Sequence, residues 1–334
     1  MFSEFDLDVQ YNGPKSDFAT FTGSPIWGYS VDNVIAIAKD RGWDVQSNER
    51  FPTPYGLGPL VNHFVTPTGR DVIWIPSYGE VVGEDSLYHY NFEKAFWILW
   101  KAGVKILLVG GTSGIADWRG QSKSLRDKAI SPGDVVLPWS FYTRPVHRGL
   151  PCTDFESMWS KSHLLLGDPF CPDGQKTLLS KFTPFLDQGK IRKIHTPSEV
   201  RAALVVPNSI TFETEFDIVH WLSIGKTASD LQPHLPPVAT VHGDCLNPIL
   251  ARYLGIHLFY YHLISNYAQG LVPQEETAKS IHKLYSETYP TIATEIEFDL
   301  LENLSIPTGE SCKCTSSLHK APSVFSQSLT QPAG

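Results

Sequence analysis

Apolar residues fall along the chain in short blocks whose spacing alternates between strand and helix periods. Phe92, Ala95, Phe96, Leu99 and Trp100 recur at i, i+3, i+4, i+7 and i+8. That spacing predicts an amphipathic helix over Asn91–Ala102, ended by Gly103. The unbroken apolar run Val104–Val109 reads as a buried strand, and Gly110-Gly111-Thr112-Ser113-Gly114 is expected to open a loop after it. Leu60–Val65 and Val72–Pro76 flank Thr66-Pro67-Thr68-Gly69 and predict a hairpin. Further strands are expected at Phe18–Thr22, Val135–Leu137, Ala202–Val206, Val238–Val241 and His257–Ile264. Helices are expected around Val31–Arg41, Gln175–Gln188, Thr214–Ile224 and Asn247–Leu254, with Gln274–Leu304 largely helical. Strands alternating with helices predict one α/β domain, a mixed twisted sheet with flanking helices. It would span residues 18–305, after an N-terminal segment (1–17) and before a loosely held Ser/Pro-rich tail (306–334).

Charge narrows the partners. The net charge of −8 argues against a phosphate backbone as ligand, so no nucleic-acid partner is expected. No apolar run is long enough to cross a bilayer, and the acidic start MFSEFDLDVQYNG lacks the apolar core of a secretory signal. Five scattered cysteines (Cys152, Cys171, Cys245, Cys312 and Cys314) suit a reducing compartment better than a disulfide framework. The picture is a cytoplasmic protein acting on a small molecule.

Generic motifs add little. GGTSG lacks both the Lys-Ser/Thr of a Walker loop and the spacing of a dinucleotide turn. Cys312-x-Cys314 has no second pair to complete a zinc site, so neither metal nor cofactor is expected. His242-Gly243-Asp244 follows a predicted strand, but neighbours on extended chain point to opposite faces, which favours packing and capping over a catalytic pair. Phe212-Glu213-Thr214 precedes an amphipathic helix. Glu213 is either a cap on its first turn or a carboxylate that accepts N–H groups from a flat heterocycle stacked on Phe212. Ser265-Asn266 closes a strand at its carboxyl end, where ligands of α/β sheets gather, and an Asn both donates and accepts.

The succession NHFVTPTGRDVIWIP, YNFEKAFWILWKAGVKILLVGGTSG and ISPGDVVLP resembles the trimeric purine nucleoside phosphorylases and methylthioadenosine phosphorylases, from about Phe18 to Leu304. SHLLLGDPFCP and the C-x-C of SCKCTSSLHKA are similar to the methylthioadenosine branch, whereas FET and LISNYA are similar to the purine nucleoside branch. The resemblance implies a mixed sheet with flanking helices and a homotrimer, a dimer being the alternative. It also implies a purine stacked on Phe212 and hydrogen-bonded by Glu213 and Asn266, with Gly111 and Thr112 against phosphate. His163 stands where the family has a His donated by the neighbouring subunit.

The phosphate side departs from that pattern. The N-terminal turn is Thr22-Gly23-Ser24-Pro25, which keeps a hydroxyl at Ser24 but loses a backbone donor at Pro25. Where the family has an Arg, this chain has Ser77 and Tyr78, in a stretch Pro76–Asp85 with three carboxylates and no cation. Gly243, preceded by His242, replaces a phosphate-binding Ser or Thr preceded by a Met. Each charge-assisted hydrogen bond contributes ~1.5–3 kcal/mol, so losing several would remove phosphate affinity, unless a cation such as Arg70 substitutes. The expectation is a repurposed pocket lined by Ser24, Ser77, Tyr78, Gly111, Thr112, Phe212 and Gly243. It would isomerise or cyclise an apolar metabolite, a pericyclic Diels–Alder-type step included, with His242, Asn266 and Glu213 as donors and acceptors. The alternatives are a nucleoside phosphorylase or hydrolase, and a non-catalytic nucleoside-binding protein.

Overall fold

The computed structural model describes residues 9–22, 31–76, 92–142, 162–164, 166–205, 213–231, 237–241, 246–308, 311–316 and 318–320. In chain order the elements are β1 (Phe18–Thr22), α1 (Val31–Asp40), β2 (Asp44–Thr53), β3 (Gly56–Val65), β4 (Asp71–Pro76), α2 (Phe92–Ala102) and β5 (Ile106–Ala116). They continue with β6 (Val135–Val136), β7 (Ser140–Tyr142), β8 (Ser162–Leu164), α3 (Pro172–Asp187), β9 (Ile194–His195), β10 (Arg201–Val205), α4 (Glu215–Leu231) and β11 (Pro237–Val241). Last come α5 (Leu246–Tyr253), β12 (His257–Tyr267), α6 (Gln274–Ser280), a π-helical stretch (Ile281–Thr288), α7 (Tyr289–Asn303) and β13 (Leu318–Lys320).

One mixed sheet organises the chain. Its main order is β2-β3-β4-β1-β5-β11-β10-β7, with β12 against the other edge of β5 and β6 and β9 beyond it. β1 runs parallel to both β4 and β5, and β12 runs parallel to β5. The central strands β4, β5 and β12 are near-continuous buried runs because helices cover both faces. Alternation divides β5: Ile106 and Leu108 join Phe182 of α3 and Ile292 and Ile296 of α7, while Leu107 and Val109 join Phe96 and Leu99 of α2. Of the α2 stripe, Phe92, Ala95, Phe96 and Leu99 are buried, but Trp100 is exposed and Trp97 and Ile98 are buried beside them; Gly103, at φ 87°, ends the helix in a conformation that favours glycine. The β3–β4 hairpin turns at Thr66–Gly69, with Gly69 at φ 78°.

Two readings of the sequence are corrected. Gly110–Gly114 is not a loop. β5 continues through it to Ala116, because β12 pairs with β5 along its whole length, from His257↔Ile106 to Tyr267↔Ile115. Nor does β12 end at Ile264; it bulges at Ser265 and resumes with Asn266 opposite Gly114. The polar strand β2 is an addition, an edge strand whose alternation carries too few apolar residues to stand out. Beyond Ile306 the chain stays packed for a stretch, with Cys312 and Cys314 both buried.

Among the described residues no helix is long and apolar enough to cross a membrane.

Candidate functional site

The glycines of β5 are explained by the side chains that press against them. A Cβ on Gly110 would lie 2.3 Å from the Tyr261 hydroxyl and 2.8 Å from Glu297 Oε1, and one on Gly111 would lie 3.0–3.1 Å from the His262 ring. At Gly114 the intruding atom is Asn266 Nδ2, at 3.1 Å. Small residues inside a strand mark such close approaches. Under Gly110 the Tyr261 hydroxyl donates to Glu297 Oε1 at 2.9 Å and Thr20 Oγ1 donates to Oε2 at 3.4 Å. Burial raises the Glu297 carboxyl to about 7, and those two hydrogen bonds only partly oppose the rise.

The other edge of β5 changes partner halfway. β1 pairs up to Thr22↔Gly110 and stops, and β11, running antiparallel, arrives with Val241↔Gly114. Among the described residues no strand pairs with Gly111–Ser113 on that edge. The carboxyl ends of β1, β4 and β11 thus converge on this short stretch, β4 ending in register with β1 at Pro76↔Thr22. It is a topological switch point, the place where open α/β sheets hold their ligands.

Asn266 and Glu213 meet at the adjoining end of β12. The Ser265 hydroxyl donates to Asn266 Oδ1 at 2.6 Å, and Asn266 Nδ2 donates to the Tyr267 carbonyl at 2.8 Å. Those bonds fix the amide and use one donor and one acceptor, so a second N–H and a second lone pair remain for a ligand edge. The bulge at Ser265 re-aims this side chain, as bulges beside functional sites do. Ser280 of α6 supports the bulge by donating to the Ser265 carbonyl at 2.6 Å. Glu213, only 2% exposed, accepts the Gln269 backbone N–H at 2.7 Å, three residues beyond Asn266.

Glu213 does not cap α4. Thr214 does: its hydroxyl receives the Asp217 N–H at 3.3 Å, while Asp217 Oδ2 receives the Thr214 N–H at 3.1 Å, a reciprocal capping pair. The two alternatives for Glu213 therefore separate, and its carboxylate is committed to the end of β12.

Of the residues singled out in the sequence, the structure brings Gly111, Thr112, Glu213 and Asn266 to one end of β5 and β12. His163 lies elsewhere, on β8, which among the described residues pairs with β13 in a two-stranded ribbon. Ser24, Ser77, Tyr78, Phe212, His242 and Gly243 lie outside the described residues. Arg70 sits at the opposite, amino-terminal end of β4. Its guanidinium donates to the Leu301 carbonyl at 2.9 Å and stacks on Phe18 at 4.1 Å. Sequence reasoning missed His262 and Tyr261, which it absorbed into an apolar run; a His and a Tyr in a strand beside a Gly-Gly pair were the signal.

No protein-family model matches the chain, and no curated protein sequence does. Solved structures do. A methylthioadenosine phosphorylase from an antarctic soil metagenomic library is 15% identical, covers 92% of this chain and 93% of its own, and has a TM-score of 0.58. A mutant adenosine/methylthioadenosine phosphorylase from Schistosoma mansoni, in complex with tubercidin, is 14% identical over 94% of this chain and 100% of its own, with a TM-score of 0.61. Methylthioadenosine phosphorylase from the same organism, in complex with adenine, is 14% identical over 86% and 91%, with a TM-score of 0.58. The chain has the fold of these phosphorylases, a mixed α/β sheet with flanking helices.

Proposed function

We propose that the chain is an enzyme that holds a largely apolar small molecule at the β5 switch point and rearranges it without inorganic phosphate. The reaction class is isomerisation or cyclisation, a pericyclic ring closure of Diels–Alder type included. The observation that carries this reading is the filling of the glycine notches: Tyr261 packs against Gly110 and His262 against Gly111. Those glycines then serve side-chain packing rather than an anion cradle. Arg70 is held at the far end of β4, and Pro76–Asp85 has no cation. A phosphate dianion would lack the charge-assisted bonds on which phosphorolysis depends.

In this reading the pocket acts mainly by fixing a reactive conformation. The remaining N–H of Asn266 polarises a carbonyl or similar acceptor, while Glu213 and His242 supply further hydrogen bonds. The pocket also takes in Ser24, Ser77, Tyr78, Thr112, Phe212 and Gly243. The assembly is a homotrimer in the cytoplasm, each pocket receiving His163 from a neighbour. Phe216, Val219 and Ile224, exposed on α4 just beyond Glu213, give an apolar strip for such packing.

The test follows from mass balance, since an isomerase or cyclase gives a product of unchanged mass. Purified protein is incubated with fractionated metabolites and analysed by liquid chromatography and mass spectrometry. The expected result is loss of one compound and gain of an equal-mass product, slowed about 10²-fold by Asn266→Ala. Phosphate-dependent release of free base from inosine, adenosine or methylthioadenosine would overturn the reading.

A nucleoside enzyme is the second reading. It is favoured by one observation, the convergence of Asn266 and Glu213 on the same strand end. Base release that ignores phosphate would select its hydrolytic form.

A further inference from the structure

At the opposite end of β12 lies a second cluster of chemically capable side chains. Cys171, His257, Cys312 and Cys314 are all buried, and their ligand atoms lie within 4.8 Å of one another. His257 Nδ1 is 3.6 Å from Cys171 Sγ and 3.3 Å from Cys312 Sγ. We propose that these four residues form a closed tetrahedral zinc site that pins the chain's C-terminal segment to the domain.

The sequence argument against a metal was that Cys312-x-Cys314 stands without a second pair. Tertiary structure supplies one from two distant places. Cys171 is the N-cap of α3, and His257 opens β12. Zinc bonds of about 2.3 Å to sulfur and about 2.0 Å to nitrogen, at tetrahedral angles, set S···N at about 3.5 Å. The two S···N distances bracket that value.

The surroundings agree in shape and in charge. Gly255, at φ 69°, brings the chain back toward the C-terminal turn, where a Cβ would meet Thr315 Cα at 3.5 Å. Arg252, only 2% exposed, donates through Nη2 to the carbonyls of Asp168 and Phe170, the residues leading to Cys171. Its Nε and Nη1 have no hydrogen-bond partner, and no carboxylate among the described residues pairs with it. A buried cation needs a counter-charge. Three thiolates and one divalent zinc leave a single negative charge, which Arg252 neutralises. On binding, the three thiol protons pass to solvent, and three thiolates and the imidazole lone pair form the four bonds. With every position taken by protein, the ion is structural rather than catalytic.

The site is tested on the full chain, expressed in zinc-supplemented medium and purified without chelator. One zinc per chain is expected by elemental analysis, and five free thiols after denaturation and metal removal. Cobalt(II) exchanged into the wild-type protein should give the intense visible bands of tetrahedral thiolate coordination. Cys312→Ser with Cys314→Ser should lose the metal, whereas His257→Cys should keep it as an all-thiolate site. If the serine variant does not fold, the cobalt spectrum of the wild type still decides. A reduced wild-type chain that takes up less than about a tenth of an equivalent of zinc when supplied with it overturns the proposal. So does a disulfide within the cluster, read as two missing thiols.

Discussion

β12 carries two contrasting polar centres, one at each end. At its start His257 joins three cysteines in a buried cluster whose members face one another. At its finish, nine residues on and roughly 30 Å away at strand rise, Asn266 sits beside a bulge with part of its amide uncommitted. The first centre is closed, its ligands drawn from three separated stretches of chain and able to satisfy one ion completely. The second is open among the described residues: β1 and β11 part beside Gly111–Ser113, and the Asn266 amide keeps a donor and an acceptor uncommitted. A closed polar cluster stabilises a fold, whereas an open one at a switch point serves a ligand. The two can be separated by experiment, because perturbing one end should change stability and perturbing the other should change chemistry.

The largest expected effect lies at the closed end. Stripping metal with a strong chelator should lower Tm by about 5–10 °C, while any turnover per folded molecule holds. A scan with and without chelator, paired with the equal-mass assay, checks both halves. If turnover fell in step with metal content, the contrast between the two ends would fail.

Between the ends lies the packed middle of β5 and β12. Gly110→Ala would drive a methyl into the locked Tyr261–Glu297 pair and should cost about 3 kcal/mol, measured by denaturant unfolding. A near-neutral result would mean that Tyr261 has room to move.

Glu297 sharpens the comparison through pH. Its folded pKa, about 7, lies above the ordinary 4.5, so the folded chain holds this proton more tightly than the unfolded chain. The stability it contributes is therefore complete below about pH 4.5 and is lost as pH rises through about 7, a change of about 3 kcal/mol. Glu297→Gln should remove that part of the pH dependence; unfolding curves at pH 5 and 8 for both proteins measure it. Parallel curves would show that the carboxyl does not titrate in this window.

The smallest effect separates capping from ligand binding beside the site. Thr214→Ala should cost about 1 kcal/mol of stability and leave turnover unchanged, since the cap on α4 is independent of the Glu213 carboxylate. A large loss of turnover would tie the cap to the pocket.

Much of the scaffold was legible in the chain itself. The α2 stripe, the β3–β4 hairpin and the apolar starts of β5 and β12 emerge from periodicity and turn residues within a few positions of their true bounds. β2 escaped because a polar edge strand has little apolar alternation to read. Of the candidate site, Asn266 and Glu213 were singled out from their residue type and their place after a predicted strand. His262 and Tyr261 were not, because their role depends on which glycine each one faces.

By itself the sequence determined the α2 helix, the β3–β4 hairpin and the apolar starts of β5 and β12, since burial on one or both faces imposes a period on neighbouring residues. It also determined the lack of cations in Pro76–Asp85. Only the tertiary structure decided that Gly110–Gly114 is strand, because that depends on ten paired positions of β12. It alone assembled Cys171, His257, Cys312 and Cys314, which are up to 143 residues apart in the chain. Ligand spacing in sequence signals a metal only when the ligands are local. When separate loops supply them, the fold creates the site, and a single sequence holds no period from which to read it.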